Sequence, residues 1–448
     1  MLKTFKGGIH PADMKELSKD AEIEVLPLPD HVHILMSQHI GAPCKPCVQK
    51  GDKVKTGQIV GEAQGFVSAP VHASITGTVA AIEDRTFPVT GARCPAVLIE
   101  RDGEEDQWAE GTNQACDIAS LSPKEIKERI QRAGIVGLGG ATFPTHVKLS
   151  PPDQCKIDAV ILNAAECEPY LTCDYRLMLR NPKELIEGLK LIMKVLNCPK
   201  GYVGIEANKP DGYQALAEAA RDEEDISVEM LAVCYPQGAE HQLISALLGR
   251  EVPSGGLPMA VGCVVQNVAT AYAVYEAVKF NKPIVERIVT VTGNGVERPC
   301  NVVARIGTPM EQLLNHAGLK AEARRVILGG PMMGIAVGTT DLSTIKGTGG
   351  VLALTDPTTW DPLPCIRCGE CVRHCPMRLV PSELSLLLDA RDFERAMSAN
   401  IMDCKECGCC SYVCPAKRPI VHQIKYGKAE LAALKKKQEE QAKKKAQQ

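Results

Sequence analysis

The chain has 448 residues, of which 45% are hydrophobic and 23% charged, so it can bury several cores and is not disordered throughout. A formal net charge of −3 and an aromatic content of 4% argue against nucleic acid as a partner. The longest uncharged stretch, Val252–Tyr275, contains several Pro, Gly and amide residues. It therefore predicts a loop and a buried core segment, and we expect the chain to have no transmembrane segment of its own.

Cysteine is unusually frequent, with 20 residues. The segment Met1–Glu24 carries many charges and lacks the apolar run of a secretory signal. We therefore expect the thiols to lie in a reducing compartment, where regularly spaced cysteines are expected to bind metal.

Residues 1–100 predict a small all-β domain. Short runs rich in Val and Ile alternate with Gly and Pro, which is typical of strands joined by turns. The strands are expected at His31–Met36, Gln58–Glu62 and Gly77–Ile82.

From Ser122 the pattern changes to alternating helices and strands. Ser122 and Glu125 have the spacing of a capping box, and Pro123 stands at the first helical position. Ala159–Leu162 is a continuous apolar run typical of a buried parallel strand. Further on, the sequence predicts a helix from Pro182, a strand at Tyr202–Ile205, a helix near Tyr213–Arg221 and a strand near Ile226–Cys234. This alternation indicates an α/β layered domain.

Residues 283–340 are again rich in β-type residues. Ile288–Thr292 and Asn301–Arg305 flank Gly293-Asn294-Gly295, which is a strong hairpin signal. At the end of the sequence, Lys425–Gln448 is rich in lysine and poor in apolar residues. We expect it to form a solvated helix that frays into a disordered tail.

Eight cysteines form an internal repeat. The run C-x2-C-x2-C-x3-C-P begins at Cys365 and recurs 39 residues later at Cys404. In two-cluster ferredoxins the fourth cysteine of each run binds the other cluster. The spacing therefore predicts two [4Fe–4S] clusters, one bound by Cys365, Cys368, Cys371 and Cys414, and one by Cys404, Cys407, Cys410 and Cys375. A pair of zinc sites is the alternative, although such sites usually show paired C-x2-C elements.

Some other cysteines also have a spacing that bears on metal or redox chemistry. Cys409 could compete with Cys410 as a ligand, although the x2 register favours Cys410. Cys44 and Cys47 form a C-x2-C element that is either redox-active or inert, and the absence of a neighbouring βαβ pattern favours inert thiols.

A glycine-rich loop runs from Gly137 to Lys148. It has neither the dinucleotide-binding spacing nor the G-K-[ST] of a P-loop. Its glycines nevertheless let backbone N–H groups approach a phosphate or a flat ring. Lys148 offers a cation for a phosphate, and Phe143 offers a face for stacking. The alternative is a purely structural turn.

The segment Asn163–Pro169 follows the predicted buried strand directly. Ligands of open α/β folds collect at the carboxyl ends of such strands. Glu166 and Glu168 are costly to bury there without partners, so they are candidates for contact with a ribose or a flavin edge. The alternative is a pair of solvated loop carboxylates.

These motifs together resemble the flavin-binding subunit of respiratory complex I and, more closely, the C subunit of the Rnf complex. The resemblance runs from Lys3 to about Lys425. It is carried by KTFKGGIHP, GFVSAPVHASITGTV, GLGGATFPTHVKL, NAAECEP, YPQGAEHQLISALLG, VVQNVATA and the double cysteine run.

The resemblance implies a multidomain α/β fold. Its expected parts are a lipoyl/biotinyl-like β barrel-sandwich at 1–110, an FMN/NADH-binding α/β domain at 111–280, a β-grasp (SLBB) domain at 281–345, an α-helical double [4Fe–4S] ferredoxin-like domain at 355–425 and a Lys-rich C-terminal tail at 426–448. A lipoyl-type attachment needs a lysine at the hairpin tip. Because no lysine lies between Lys55 and Lys124, we expect a scaffold or docking module instead.

The resemblance also implies site residues. The FMN contacts would be Gly137, Gly139, Gly140, Lys148, Asn163, Glu166, Tyr235, Gly238, Glu240, Gln266, Asn267 and Thr270. Phe143 is the candidate for stacking on the nicotinamide, and Glu168 for contact with the ribose. The sequence departs from the complex I pattern at five positions, Leu138, Thr142, Ala165, Cys167 and Ala239, which stand where Arg, Gly, Asp, Gly and Glu are expected.

The function implied is that of a peripheral component of a membrane-bound ferredoxin:NAD⁺ oxidoreductase that translocates Na⁺ or H⁺. NAD(H) would exchange a hydride with FMN, and the two [4Fe–4S] clusters would connect FMN to the membrane and iron–sulfur subunits (A, B, D, E and G) and indirectly to ferredoxin. The expected location is the cytoplasmic face of the bacterial or archaeal cell membrane. The alternatives are a soluble flavin/iron–sulfur reductase, such as the cobalamin reductase of microcompartments, and a relay protein without a working flavin site.

Overall fold

The computed structural model describes residues 2–103, 105–356 and 358–446, with side chains to residue 442. Its N-terminal segment lies outside the barrel. Lys3 and Ile9 pair with Leu231 and Tyr235, and a 3-10 turn follows at Lys15–Leu17. This segment therefore joins parts of the chain that lie more than 200 residues apart in sequence.

The first domain is a barrel-sandwich of two small sheets. After β1 (Ile23–Val25), its strands are β2 (His31–Leu35), β3 (Lys45–Pro46), β4 (Lys53–Val54), β5 (Ile59–Glu62), β6 (Val71–His72), β7 (Gly77–Thr86) and β8 (Arg93–Arg101). One sheet has the order β2-β8-β7-β4, and the other has the order β3-β5-β6. Side chains such as Ile34, Val79 and Ile99 fill the space between them and are fully buried. The predicted strands are present, and the third is extended to Thr86.

The second domain is an α/β layer structure, as predicted. Its elements are α1 (Pro123–Arg132), α2 (Thr145–Lys148), β9 (Ala159–Ala164), α3 (Cys173–Arg180), α4 (Pro182–Leu196), β10 (Gly201–Glu206), α5 (Pro210–Ala219), β11 (Ile226–Leu231), α6 (Glu240–Leu248), β12 (Cys263–Asn267) and α7 (Val268–Phe280), with a 3-10 turn at Pro258–Val261. The strands are parallel in the order β11-β10-β9-β12. Because the strand order reverses at β9, a crevice is expected between the carboxyl ends of β9 and β12.

A local sequence signal explains where α1 begins. The Ser122 hydroxyl accepts the Glu125 N–H at 3.3 Å, and the Glu125 carboxylate accepts the Ser122 N–H at 2.7 Å, so the predicted capping box starts α1. Val252–Tyr275 forms a loop, the 3-10 turn, β12 and the start of α7, as predicted. Among the helices that the structure describes, none is long and apolar enough to cross a membrane.

The third domain is a β-grasp fold whose sheet reaches beyond residues 281–345. Its elements are β13 (Glu286–Thr292), β14 (Cys300–Arg305), α8 (Met310–His316), β15 (Arg325–Leu328), β16 (Ile335–Val337) and β17 (Gly350–Leu354). The sheet order is β1-β14-β13-β17-β15-β16, so β1 and β17 both come from outside the predicted range. The predicted hairpin is present, because β13 and β14 pair in antiparallel fashion.

The fourth domain consists of short helices around the cysteine runs and of the long C-terminal helix α13. They are α9 (Glu370–Arg373), α10 (Pro381–Asp389), α11 (Phe393–Ser398), α12 (Cys409–Tyr412) and α13 (Ile420–Ala446), with a 3-10 turn at Ile401–Asp403. The sequence repeat is also a structural repeat. Gly369 and Gly408 precede α9 and α12 with φ of 79° and 82°, a conformation that glycine adopts without strain.

The C-terminal tail differs from the expectation. Helix α13 continues to Ala446, so the predicted fraying does not occur within the described residues. Ala, Glu, Lys, Gln and Leu dominate this segment, and all of them favour the helix. Its first turns are anchored by Ile420 and Ile424, which are buried in the core of the fourth domain.

Candidate functional site

The glycine-rich loop packs against the end of β12 and the start of α7, beside the expected crevice. Within the loop, the Gly137 N–H donates to the Phe143 carbonyl at 2.9 Å. The Leu138 N–H donates to the Thr270 hydroxyl at 2.9 Å, and its carbonyl accepts from buried Arg287 at 2.6 Å. The loop is therefore fixed from both sides, by α7 and by the β-grasp domain. Arg287 was not predicted, because its position on β13 gives no local signal for a role 149 residues away.

Two glycines of this loop have different surroundings. A Cβ atom on Gly139 would lie 2.6–2.8 Å from the Asn267 side chain, whereas a Cβ on Gly140 would meet nothing within 4 Å. Asn267 caps α7 by accepting the Ala269 N–H at 2.8 Å, and its amide donates to Asp174 at 2.6 Å. Gly139 thus lets the loop touch the end of β12, while Gly140 faces open space, as a ligand-binding position would.

Two buried amide groups at or beside predicted FMN contacts have an unpaired N–H donor group. Gln266 and Gln237 are 3% and 0% exposed, and the Nε2 of each finds no hydrogen-bond partner within the described residues. Gln266, near the end of β12, is itself a predicted FMN contact, and Gln237 precedes the predicted contact Gly238. The Gln237 oxygen accepts from the Thr4 hydroxyl at 3.4 Å, so only its Nε2 is free for a ligand. A buried unpaired donor is costly, and the carbonyl, hydroxyl and phosphate oxygens of FMN would satisfy such donors. The residues present therefore fit the cofactor.

The end of β9 and the segment after it are joined to the turn after β11 by hydrogen bonds. The Asn163 amide donates to the Gly238 carbonyl at 2.7 Å, and its oxygen accepts the Ala165 N–H at 3.2 Å. The Cys167 sulfur accepts the Gly238 N–H at 3.3 Å, which gives this departure from the complex I pattern a structural role. Burial raises the pKa of the Cys167 thiol to about 12, so the thiol stays protonated at neutral pH.

The predicted phosphate contact Lys148 is engaged with another predicted contact. Its ammonium lies 2.7 Å from the Glu240 carboxylate, and both side chains are about one-third exposed (27% and 35%). The structure therefore brings these two predicted contacts together at a partly exposed position. A phosphate placed there would share Lys148 with Glu240.

Glu166 points inward and caps a helix. Its carboxylate accepts the N–H groups of Asp174 at 2.7 Å and Tyr175 at 3.2 Å, in the first turn of α3. Burial raises the pKa of Glu166 to about 7 and also raises the pKa of Asp174. Glu166 is therefore not one of the solvated loop carboxylates of the alternative interpretation.

Two buried lysines under this segment were not predicted. Lys15 donates to the carbonyls of Leu171 at 2.5 Å and Glu168 at 3.0 Å, and Lys209 donates to the Ala165 carbonyl at 2.7 Å. They hold the backbone that follows β9 and offset the buried acids around it. Lys15 belongs to the N-terminal segment, so only the tertiary structure places it here.

The predicted NADH contacts lie in different surroundings. The Glu168 carboxylate accepts the N–H groups of Met332 at 2.7 Å and Met333 at 3.0 Å, and burial raises the pKa of Glu168. It therefore links the flavin domain to the β-grasp domain. Phe143 is half-buried within the glycine-rich loop. The stacking role of Phe143 and the ribose contact of Glu168 stay predictions.

The eight repeat cysteines line two cavities in the fourth domain. Cys375, Cys404, Cys407 and Cys410 line one, which we term the inner cavity. Cys365, Cys368, Cys371 and Cys414 line the other, which we term the outer cavity. Each cavity thus takes three cysteines from one run and the fourth from the other, which fits a cubane with crossed ligation. Cys409 also lines the inner cavity, so its competition with Cys410 stays open.

The inner cavity lies against the flavin domain. The buried Tyr235 hydroxyl donates to the Cys407 carbonyl at 2.8 Å, and the Gln242 amide donates to the Pro376 carbonyl at 3.1 Å. Tyr235, Cys407 and Ile9 belong to one apolar cluster at this contact. Tyr235, predicted as an FMN contact, is therefore also the polar link to the cysteine loop.

The C-x2-C element of the barrel is not an obvious redox pair. Cys44 is buried and donates to the Ala69 carbonyl at 3.1 Å, while Cys47 is exposed. Burial raises the pKa of both thiols, which disfavours the reactive thiolate.

Comparisons with known families match the four domains in chain order. The matches are the RnfC barrel sandwich hybrid domain at 3–104, the Nuo51 FMN-binding domain at 130–276, the SLBB domain at 288–336 and the 4Fe-4S dicluster domain at 364–417. They confirm the predicted fold class and the predicted cofactor classes, FMN and [4Fe–4S] clusters. The fold and the site thus define a flavin- and iron–sulfur-containing electron-transfer protein.

Curated relatives identify the family. The chain is 47% identical over 434 residues to the C subunit of the proton-translocating ferredoxin:NAD(+) oxidoreductase complex of Clostridium ljungdahlii, covering 96% of this chain and 94% of the relative. It is 45% identical to the Na(+)-translocating counterpart of Acetobacterium woodii, covering 97% and 98%. The chain belongs to the RnfC family, the C subunits of ion-translocating ferredoxin:NAD⁺ oxidoreductase (Rnf) complexes. These relatives do not favour the soluble cobalamin-reductase alternative.

A search of solved structures gives more distant matches. The NAD+-reducing [NiFe]-hydrogenase in its air-oxidized state is 22% identical with a TM-score of 0.47, covering 62% of this chain and 54% of that one.

Proposed function

We propose that this chain exchanges electrons between NAD(H) and a membrane-bound electron-transfer complex through FMN and two [4Fe–4S] clusters. One observation carries the proposal. The wall of the flavin crevice touches the inner cysteine cavity directly, through the Tyr235 hydroxyl and the Cys407 carbonyl. A crevice suited to a two-electron cofactor therefore adjoins a cavity suited to a one-electron cofactor.

FMN would be held by the glycine-rich loop, the ends of β9 and β12, and the turn before α6. Gln266 and Gln237 would donate to its oxygens, because the Nε2 of each lacks a partner within the described residues. Lys148, which already faces Glu240, would meet the phosphate. When bound, FMN accepts a hydride from NADH and passes on single electrons.

The chain's own residues position and insulate these groups. Asn163 and Thr270 hydrogen-bond to the backbone, and Asn267 bonds both the backbone of α7 and the Asp174 carboxylate, so all three would hold the loops in place. Phe143 would stack on the nicotinamide from the open side of the loop. Glu168, whose carboxylate accepts the Met332 N–H of the β-grasp domain, would contact the ribose of NADH.

The partners proposed are the A, B, D, E and G subunits of the complex, with ferredoxin served indirectly. The relatives are named as subunits of ferredoxin:NAD(+) oxidoreductase complexes, one proton-translocating and one Na(+)-translocating. We place this chain at the cytoplasmic face of the membrane, with ion translocation carried out by other subunits.

The test is NADH oxidation by the purified chain under anaerobic conditions. Ferricyanide serves as a small acceptor that needs no protein partner. The proposal predicts NADH-dependent ferricyanide reduction that is lost when FMN is removed and restored when FMN is added. Absence of NADH oxidation in an FMN-loaded chain would contradict it and would favour the relay alternative.

A further inference from the structure

The inner and outer cavities differ in their access to solvent. The inner cavity is covered by the flavin domain through Tyr235 and by the N-terminal segment, where the Gly8 N–H donates to the His374 carbonyl at 3.0 Å. The outer cavity has no comparable cover within the described residues. Its ligand Cys368 is exposed, and Ile366 in the same loop is 67% exposed.

Exposed apolar side chains gather around this outer loop. Trp360 is 62% exposed and Leu363 is 59% exposed, and a group of exposed apolar side chains is typical of an interaction surface. The Leu363 N–H donates to the Ala416 carbonyl at 2.9 Å, so the segment that carries both residues lies against the outer cavity. We term the group Trp360, Leu363, Ile366, Arg367 and Lys417 the outer face.

The outer face carries unpaired positive charge. Arg367 and Lys417 are exposed and have no carboxylate partner in the described part of the chain. Lys417 instead lies over the Trp360 ring, 4.8 Å from its centroid. The neighbouring Arg373 is neutralised by Glu370, and the exposed acid Asp361 follows Trp360 directly in the sequence. Among the five side chains of the outer face itself, the charge is therefore positive.

We propose that the outer face is the docking surface for a redox protein that presents its own flavin or iron–sulfur cofactor within an acidic rim. The apolar centre would exclude water, and the two cations would meet the rim. Each electron that leaves the outer cluster oxidises that cluster by one electron and reduces the partner's cofactor by one. A lipid surface fits less well, because it holds no acceptor for the electron. The inference rests on the proposed function and adds which cluster faces the partner.

The test uses two residues of the outer face that do not line the cavity. The double variant Leu363→Glu/Lys417→Glu reverses the charge and removes the apolar contact. The matched control Val89→Glu/Lys50→Glu makes the same changes on exposed positions of the barrel domain. Purified chains are added to membranes from cells that make the remaining subunits but lack this chain, and binding is measured by co-sedimentation.

The outer-face variant is expected to bind these membranes at least about tenfold more weakly, because like charges would then face each other. The control is expected to bind as the unchanged chain does. Added salt should weaken membrane binding by the control and by the unchanged chain, but not by the outer-face variant. All three should reduce ferricyanide with NADH at the same rate and show the same cluster signals. If the double variant loses cluster signals, Lys417→Glu alone repeats the test.

Equal binding of the outer-face variant and the control would overturn the docking surface. Binding of the unchanged chain to protein-free vesicles containing phosphatidylglycerol would overturn it in favour of a lipid surface. Failure of NADH oxidation in the unchanged chain is a separate result, which would contradict the proposed function instead.

Discussion

At the scale of single residues, the glycine-rich loop depends on glycines that have no side chain. Gly139 has no side chain where Asn267 needs space, and Gly140 has none where the loop faces outward. In the sequence, nothing distinguishes the three glycines of this loop from one another. The structure shows that Gly139 packs against a side chain and that Gly140 faces open space, which no local pattern could show.

Replacing these glycines with alanine should therefore have different effects. Gly139→Ala is expected to lower the free energy of unfolding by about 1–3 kcal/mol, because its Cβ would overlap Asn267. Gly140→Ala should change it by less than about 1 kcal/mol, since open space surrounds that Cβ and alanine has fewer unfolded conformations. If Gly140 contacts FMN, Gly140→Ala should weaken FMN binding even though it leaves the free energy of unfolding nearly unchanged.

Urea unfolding and FMN fluorescence titration measure both effects. Equal destabilisation by the two alanines would contradict the packing argument. Unchanged FMN affinity in Gly140→Ala would remove Gly140 from the proposed contacts.

The link between the two cofactor sites depends on one hydroxyl. Tyr235→Phe removes the donor to the Cys407 carbonyl and should loosen that contact by about 0.5–1.5 kcal/mol. We expect faster loss of iron from the inner cluster to a chelator, followed by absorbance. Tyr412→Phe, at an exposed position, is the control. Identical rates in both variants would show that the hydroxyl does not hold the loop.

At the scale of elements, a pair of buried bases joins the barrel to the flavin domain. His72 on β6 hydrogen-bonds the Arg132 carbonyl at 3.0 Å, at the end of α1. Lys346 donates to the Pro70 and Gly134 carbonyls, both at 2.7 Å. Burial lowers the pKa of His72 to about 3 and that of Lys346 to about 8.

This junction should weaken in acid. The pKa of His72 falls from 6.5 to about 3 on folding, so the unfolded chain takes up a proton first as the pH drops below 6.5. As the pH is lowered from 7 to 5, protonation of His72 in the unfolded chain should lower the free energy of unfolding by about 2 kcal/mol. His72→Gln should flatten this part of the curve in urea unfolding measured from pH 5 to pH 8. An equally steep curve in the variant would contradict the assignment.

Elements with a strong local pattern could be predicted, and those defined by distant partners could not. The capping box of α1 and the hydrophobic run of β9 are encoded within a few residues. Strand β1 has only the sequence Ile-Glu-Val, and its partner β14 lies about 280 residues further along. Likewise Lys15 and Arg287 reach the site only through tertiary packing, so no spacing rule could point to them.

At the scale of the whole molecule, the repeat determines how the clusters connect the domains. The crossed sets of cysteines follow from the spacing, and the structure gathers the same sets around two cavities. The sequence could not show which of the two cavities faces the flavin domain. That depends on Tyr235 and the N-terminal segment, both of which belong to other parts of the chain.

Single serine variants test the crossed ligation. Cys414→Ser should remove the cluster of the outer cavity and keep the other, leaving about four of eight irons, although Cys414 belongs to the second run. Cys375→Ser should do the reverse, and Cys47→Ser should keep both. Iron analysis and low-temperature EPR distinguish the two signals. If Cys414→Ser and Cys404→Ser remove the same signal, each run binds its own cluster and the crossed assignment is wrong.

In the proposed function, electrons from NADH reach both clusters through a flavin bound in the crevice. Anaerobic titration of the purified chain with NADH, followed by visible absorbance and low-temperature EPR, tests this path. We expect the flavin bands to bleach and cluster signals to appear as far as the cluster potentials allow. A chain whose clusters are reduced by dithionite, but which binds no flavin and does not respond to NADH even with added FMN, would contradict it.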